Sequence, residues 1–302
     1  MPQRISFHDE IQKNKVKSIV LIVIIFTFFL ILGVLISFAL DPGYFFIIMI
    51  MSIIFSLVYI IASYYNSDKI ALASVNAKPA SHTEHREFYH AAENMSLASG
   101  LPMPRLYVME SSQINAFASG RDPQHAVICA TTGCLEKLQK DELEGVIAHE
   151  MSHVANYDIR FMTLTAVLVG MVSIIAQIYL RSLWFSSMDR DRRDNRLGVI
   201  LFIISIIVAI LAPLAANLVS FAISRKREFT ADATGVKFTR YPPGLRDALK
   251  KIKNEHVAEK EKKKYPKAVA PLFISDPFKK KITGLFSTHP DIDERIKKLE
   301  RM

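Results

Sequence analysis

The sequence predicts a mainly α-helical membrane protein, with about four transmembrane helices and a small α+β domain outside the bilayer. Three observations predict it. Half of the 302 residues are hydrophobic and the mean hydropathy is +0.21, high for a soluble chain. The apolar residues gather into four blocks instead of spreading along the chain. The segments between the blocks are polar and basic, and long enough to fold outside a membrane.

The first block covers residues 18–40 and the second residues 44–65. At ~1.5 Å per residue, each is long enough to cross a hydrocarbon layer of ~30 Å. Asp41-Pro42-Gly43 between them is a turn, so the pair reads as a helical hairpin. A signal peptide is the alternative for the first block. Its apolar run exceeds the usual ~7–15 residues and leads directly into a second span, which speaks against that reading. Arg4, Lys13, Lys15 and Lys17 precede the first block, and the hairpin tip carries no Lys or Arg. The positive-inside rule places the N-terminus in the cytoplasm and returns the chain there at about residue 66.

Residues 66–160 are soluble in character. Residues 84–98 have helical periodicity and stop at Gly100. Residues 104–109, 114–118 and 126–131 read as short strands. Asp141 is expected to cap the next helix, with Glu144 three residues on completing a capping box. The third apolar block covers residues 161–180 and the fourth residues 197–223. Their connecting loop, 181–196, mixes Arg190, Arg192 and Arg193 with Asp189, Asp191 and Asp194. Such a loop outside the cell runs against the positive-inside trend, so two spans plus a membrane-embedded hairpin is the alternative to four spans. The chain is soluble and basic again from residue 224. Residues 259–264 are a charge cluster that suits a solvated face or contact with anionic headgroups. Residues 291–301 close the chain as a short helix.

The net charge of +9 admits nucleic acid, anionic membrane surfaces or cytoplasmic loops as partners. No helix-turn-helix, zinc-finger or RNP-like pattern is present, which sets nucleic acid aside. Cys129 and Cys134 are too few and too oddly spaced for a disulfide framework or a zinc ribbon, and read as small buried side chains.

One run carries chemistry. His149 and His153, four apart on the predicted helix, stack both imidazoles on one face and can take two corners of a tetrahedral zinc. Glu150 lies about 100° around the helix from His149. It can reach the metal's water as a general base without ligating the metal. Val146-Ile147-Ala148 can bury one flank, while Gly145 weakens the helix slightly. The third ligand is assigned to Glu228 in Arg225-Lys226-Arg227-Glu228-Phe229-Thr230-Ala231-Asp232. Glu228 follows the fourth apolar block as His153 precedes the third, so antiparallel spans bring both to one membrane face. Asp232, one turn on, is placed to accept a hydrogen bond from a ligand imidazole. His82, His85, His90, His8, His125 and His256 stand outside this constellation.

His-Glu-Met-Ser-His-Val-Ala-Asn-Tyr-Asp at 149–158, with Arg-Glu-Phe-Thr-Ala-Asp at 227–232, resembles the HtpX family of membrane zinc proteases, relatives of the CAAX prenyl endopeptidases. The resemblance covers nearly the whole chain. It implies a zincin-like α+β catalytic domain on the cytoplasmic side, an active-site helix plus a small sheet, holding one zinc ion per chain. It implies that Asn115, Ala116, Phe117 and Ala118 belong to an edge strand that pairs with extended substrate. The bland alternative is an ordinary core strand. It also implies that His289, in Thr288-His289-Pro290, steadies the oxyanion. Asn156 and Asp158 match the continuation of the zinc helix, where a structural role is expected.

The layout that follows is a transmembrane hairpin at 1–65, a first catalytic segment at 66–160, a second transmembrane pair at 161–223 and a second catalytic segment at 224–302. The function expected is a multi-pass endopeptidase of the plasma membrane, cutting misfolded or damaged membrane proteins at the cytoplasmic face during stress. Its partners are unfolded or membrane polypeptides and the bilayer, with no nucleic acid. A CAAX-type prenyl protease is one rival, disfavoured because those relatives enclose a large chamber with more helices. A non-catalytic zinc scaffold is the other, disfavoured by Glu150, which a four-ligand structural site does not need.

Overall fold

The computed structural model describes residues 7–40, 42–168, 170, 177, 225–256, 269, 272–275 and 291–302. Half of the third apolar block, all of the fourth, the loop 181–196, the charge cluster 259–264 and His289 lie outside the described residues.

Two long apolar helices lead the chain, α1 (Phe7–Leu40) and α2 (Phe45–Tyr65), joined through a 3-10 turn at Pro42–Tyr44. They pack on each other, with Phe29 edge-on to Phe55 and Tyr59. The residues of α2 that are buried are Ser56 and Ser63, while Phe46 is 77% exposed and Ile47, Ile50, Met51 and Val58 lie open beside it. A helix in water buries its apolar residues. This inverted pattern suits hydrocarbon as the solvent. Among the described residues, Ile11–Val34 and Phe45–Tyr65 are the segments long and apolar enough to cross a membrane.

The soluble part follows: α3 (Ser67–Ser74), β1 (Lys78–Pro79), α4 (Arg86–Ser99), β2 (Arg105–Met109), β3 (Ala116–Ser119), β4 (Val127–Thr131), α5 (Thr132–Lys137) and α6 (Lys140–Ala155). Residues 158–168, here α7, are helical up to the limit of description. After them come α8 (Arg225–Thr239), α9 (Pro242–Asn254) and α10 (Ile292–Leu299). The sheet order is β1-β2-β4-β3, with β2 and β4 parallel and both outer pairings antiparallel. Alternation along the strands splits the core in two. Leu106, Ala116, Ala118, Ile128 and Ala130 face one cluster with Ile147, Met151 and Leu249 of α6 and α9. Phe117, Val127 and Cys129 face the other, with Leu21 and Ile25 of α1 and Phe161 and Met162 of α7. The sheet thus sits between the α6 layer and the roots of the membrane helices.

Two expectations shift. The N-cap of α6 is Gln139, not Asp141, and Glu142 takes the place expected of Glu144: its carboxylate accepts from the Gln139 N–H at 2.6 Å. Glu144 instead accepts from the Asn94 amide at 2.8 Å, tying α6 to α4. The strand expected over 114–118 begins at Ala116, because the Ile114 N–H is taken by the Glu255 carboxylate and the Asn115 N–H by the Thr131 hydroxyl. Gly145 has a packing reason: a Cβ there would collide with the Leu245 backbone, so its absence lets α9 lie directly on α6. Cys129 and Cys134 are buried and unpaired as thiols.

Candidate metal centre

α6 and α8 cross at the core of the soluble part, and Gly235 of α8 lies against the His149 backbone, where a Cβ would meet the His149 nitrogen at 3.1 Å. That close approach brings Glu228, two turns earlier on α8, to the histidines. Ligand atoms of His149, His153 and Glu228 lie within 4.8 Å of one another, and all three residues are buried. His149 Nε2 is 3.7 Å from Glu228 Oε2, and His153 Nε2 is 3.7 Å from Glu228 Oε1. The two imidazoles stand edge-to-face with centroids 4.8 Å apart. Ligand atoms around a tetrahedral zinc are roughly 3.4 Å apart, given metal–ligand distances near ~2.1 Å. The donor set and its spacing therefore fit zinc.

Carboxylates fix both imidazoles from behind. His149 Nδ1 lies 2.9 Å from Asp232 Oδ1, and His153 Nδ1 lies 3.0 Å from Asp158 Oδ2. With the proton held at Nδ1, each Nε2 keeps its lone pair for a cation. Asp232 is held in turn by Arg295 of α10, whose Nε and Nη2 donate to its two oxygens at 2.9 and 2.6 Å. Arg295 Nη1 lies 3.3 Å from Glu228 Oε2 and donates to the Ile274 carbonyl at 3.0 Å. Asp158 is held by Arg227 Nε at 2.8 Å and by the amide of Asn14, in the first membrane helix, at 2.7 Å. The Asn14 amide also donates to the Asn156 carbonyl at 3.1 Å. Tyr157 has a left-handed backbone, φ 58°, in the turn that swings Asp158 back towards His153. For a residue with a Cβ that conformation costs about 1–2 kcal/mol, and the Lys15 ammonium lies over its ring, 4.5 Å from the centroid.

Charge at this buried site is strongly tuned. Burial pushes the Glu150 carboxyl up to about 7, with the Glu228 charge adding to it and His153 opposing. Neither Glu150 oxygen has a hydrogen bond of ordinary geometry among the described residues, although the Ala118 backbone of β3 favours its charged form. Burial and then the Arg295 charge pull His149 below its ordinary value. Burial also pulls on His153, but its bond to Asp158 and the Glu228 charge outweigh it and carry the ring up to about 9. For Asp232, burial is outweighed by Arg295 and His149, which hold the carboxyl below its usual range.

Of the residues singled out by sequence, His149, Glu150, His153, Glu228 and Asp232 come together here, and His289 lies outside the described residues. Ala116, Phe117 and Ala118 form β3 at the sheet edge, with Asn115 just before it. That edge is partly covered by the chain itself. Phe273 bridges to Phe117, the Ile274 N–H donates to the Ala116 carbonyl at 3.0 Å, and the Asn115 amide donates to the Ser275 carbonyl at 3.1 Å. Sequence reasoning misses Arg295 and Asn14 and treats Asp158 as merely structural. A signal for Arg295 exists: it shares the apolar face of α10 with Ile292, Ile296 and Leu299, an arginine on a core-facing stripe.

Comparison with known proteins agrees in kind. Residues 82–302 match the model of peptidase family M48. The protein described as Protease HtpX homolog from Caldanaerobacter subterraneus subsp. tengcongensis is 42% identical, over 97% of each chain. That of Dictyoglomus thermophilum is 40% identical, over 98% of this chain and 95% of its own. The crystal structure of S. mikatae Ste24p superimposes with a TM-score of 0.47 at 19% identity, covering 95% of this chain and 65% of that one. The chain belongs to peptidase family M48, as a membrane metalloprotease of the HtpX type.

Proposed function

We propose that the protein is a zinc endopeptidase that cuts misfolded or damaged membrane proteins at the cytoplasmic face of the plasma membrane, in quality control and stress response. The observation that carries the reading is the buried trio His149, His153 and Glu228, with ligand atoms within 4.8 Å and Glu150 one residue along the same helix. In this reading the trio holds one zinc ion per chain, while Asp232 and Asp158 orient the two imidazoles. Bound there, zinc supplies Lewis acidity, polarising the scissile carbonyl and acidifying the attacking water. Glu150 takes the proton from that water and returns it to the leaving amine. Its burial raises its basicity towards the range such a transfer needs. His289 donates to the developing oxyanion, a contribution of about 3 kcal/mol for donors of this kind.

The substrate class follows from position. Asn14, at the start of the first span, bonds to Asp158, which bonds to His153, so the site lies within one side chain's reach of the membrane root. A substrate tethered in the same bilayer meets the site at high effective concentration. An extended substrate pairs with the outer edge of β3 near Ala118, the residue whose backbone faces Glu150. The domain layout is the one set out above: a hairpin at 1–65, catalytic segments at 66–160 and 224–302 forming one zincin-like unit, and a second pair of spans at 161–223. The basic N-terminal flank supports the cytoplasmic orientation. The test is purified full chain with and without chelator, incubated with an unfolded membrane protein. Cleavage that stops with chelator and returns with zinc is expected, and cleavage indifferent to chelator would remove the proposal.

A further inference from the structure

The start of α1, the turn after α6 and the first turn of α8 enclose a polar pocket of about 140 Å³, lined in part by Lys13, Lys17, Lys226, Arg227, Asn14 and Asp158. Four of these are cations and one is a carboxylate. That carboxylate is already engaged by Arg227, Asn14 and His153 at 2.8, 2.7 and 3.0 Å. Cationic side chains from the two ends of the chain converge on this cavity, a setting that attracts an anion. Ammonium and guanidinium donors around a small cavity match the oxygens of a phosphate.

Depth identifies the source. Lys13 and Lys17 stand in the first turns of the apolar segment Ile11–Val34, and Asn14 between them is buried against the soluble part. The pocket therefore opens where hydrocarbon gives way to water, the level of lipid phosphates, and basic pockets between membrane helices bind anionic headgroups there. We propose that this pocket binds the phosphate of an anionic phospholipid. The proposal rests on the reading that α1 crosses the bilayer. The pocket floor is Asn14 and Asp158, the support of His153, so a bound headgroup packs against the side chains that hold a candidate metal ligand.

The experiment places the full zinc-loaded chain in nanodiscs of phosphatidylcholine with a minority of phosphatidylglycerol. Lipid that stays on the released protein is then identified by native mass spectrometry. The wild type is expected to retain one phosphatidylglycerol per chain. Lys13→Gln/Lys17→Gln/Lys226→Gln is expected to lose that preference about 100-fold, from roughly fivefold per charge at a membrane surface, with its zinc content unchanged. Lys226→Gln alone, about fivefold weaker, serves if the triple variant does not fold. Lys15→Gln removes a neighbouring charge that points instead over the Tyr157 ring, and is expected to leave retention as it is. Equal retention by wild type and pocket variants would overturn the site, and a Lys15→Gln loss as large as that of Lys226→Gln would reduce it to general surface charge. Displacement of the lipid by equimolar inorganic phosphate would overturn the lipid as its occupant. An error in the peptidase reading shows separately, as absence of cleavage in every nanodisc with lipid retention intact.

Discussion

Replacing Asp158 with alanine tests the support of the metal site on its membrane side. The carboxylate lies 3.0 Å from His153 Nδ1, accepts from Arg227 Nε at 2.8 Å and accepts from the Asn14 amide at 2.7 Å. Loss of the group that orients a ligand imidazole lowers metal affinity by about 10- to 100-fold, or about 1.4–2.7 kcal/mol. A second cost is independent of metal. Arg227 is buried, and Asp158→Ala removes the carboxylate that lies 2.8 Å from its Nε. Removing one partner of a buried ion pair costs about 3–5 kcal/mol. Asn14→Ala separates the two effects, since it removes the tie to α1 while leaving the Asp158 contacts to His153 and Arg227. It is expected to cost about 1–3 kcal/mol of stability and to change zinc affinity by less than about threefold. The assay is equilibrium competition for zinc against a chromophoric chelator, with thermal unfolding of the metal-free chain in parallel. A folded Asp158→Ala protein that binds zinc as tightly as wild type would refute the reasoning.

Arg295→Ala leaves the buried Asp232 and Glu228 carboxylates without their shared cation, so a destabilisation of about 3–5 kcal/mol is expected in thermal unfolding; a melting temperature within a degree or two of wild type would count against it. The pH dependence of the metal-free chain has a definite sign. His153 rises from 6.5 to about 9, so above pH 6.5 the folded state binds more protons than the unfolded state, while below 6.5 the rise of Glu150 from 4.5 to about 7 is opposed by the lowered His149. The stability of metal-free protein should therefore fall as pH rises from about 6.5 to about 9, and Glu150→Gln should leave the opposing His149 effect uncovered, so that stability rises with pH below about 6.5. Zinc reverses the trend, because its ligands bind it deprotonated.

The features legible in the sequence are those written in local periodicity. The α1–α2 hairpin follows from two apolar runs around Asp41-Pro42-Gly43, and β2 and β4 follow from short apolar runs. The approach of Glu228 to His149 and His153 is legible because each lies a few residues from an apolar block. Other features depend on partners that sequence does not place. Arg295 and Asn14 meet the site across 146 and 144 residues of chain, to His149 and Asp158 respectively. α9 escapes notice because Arg246, Lys250, Lys251 and Lys253 dominate a segment whose Leu245, Ala248, Leu249 and Ile252 form the buried stripe. The N-cap of α6 moves to Gln139 because Glu142 reaches back to its N–H, a competition between two acidic residues that composition does not decide. The cover on β3 is equally invisible beforehand, since Phe273 and Ile274 meet it from the far side of the chain.

The most direct measurement of the central claim is Glu150→Gln in the purified full chain, with zinc content and cleavage of an unfolded membrane protein read on the same sample. With His149, His153 and Glu228 intact, about one zinc per chain should remain, while loss of the base should lower cleavage by about 10²- to 10⁴-fold. A variant that cuts at the wild-type rate, or that loses its zinc together with its activity, would contradict the account.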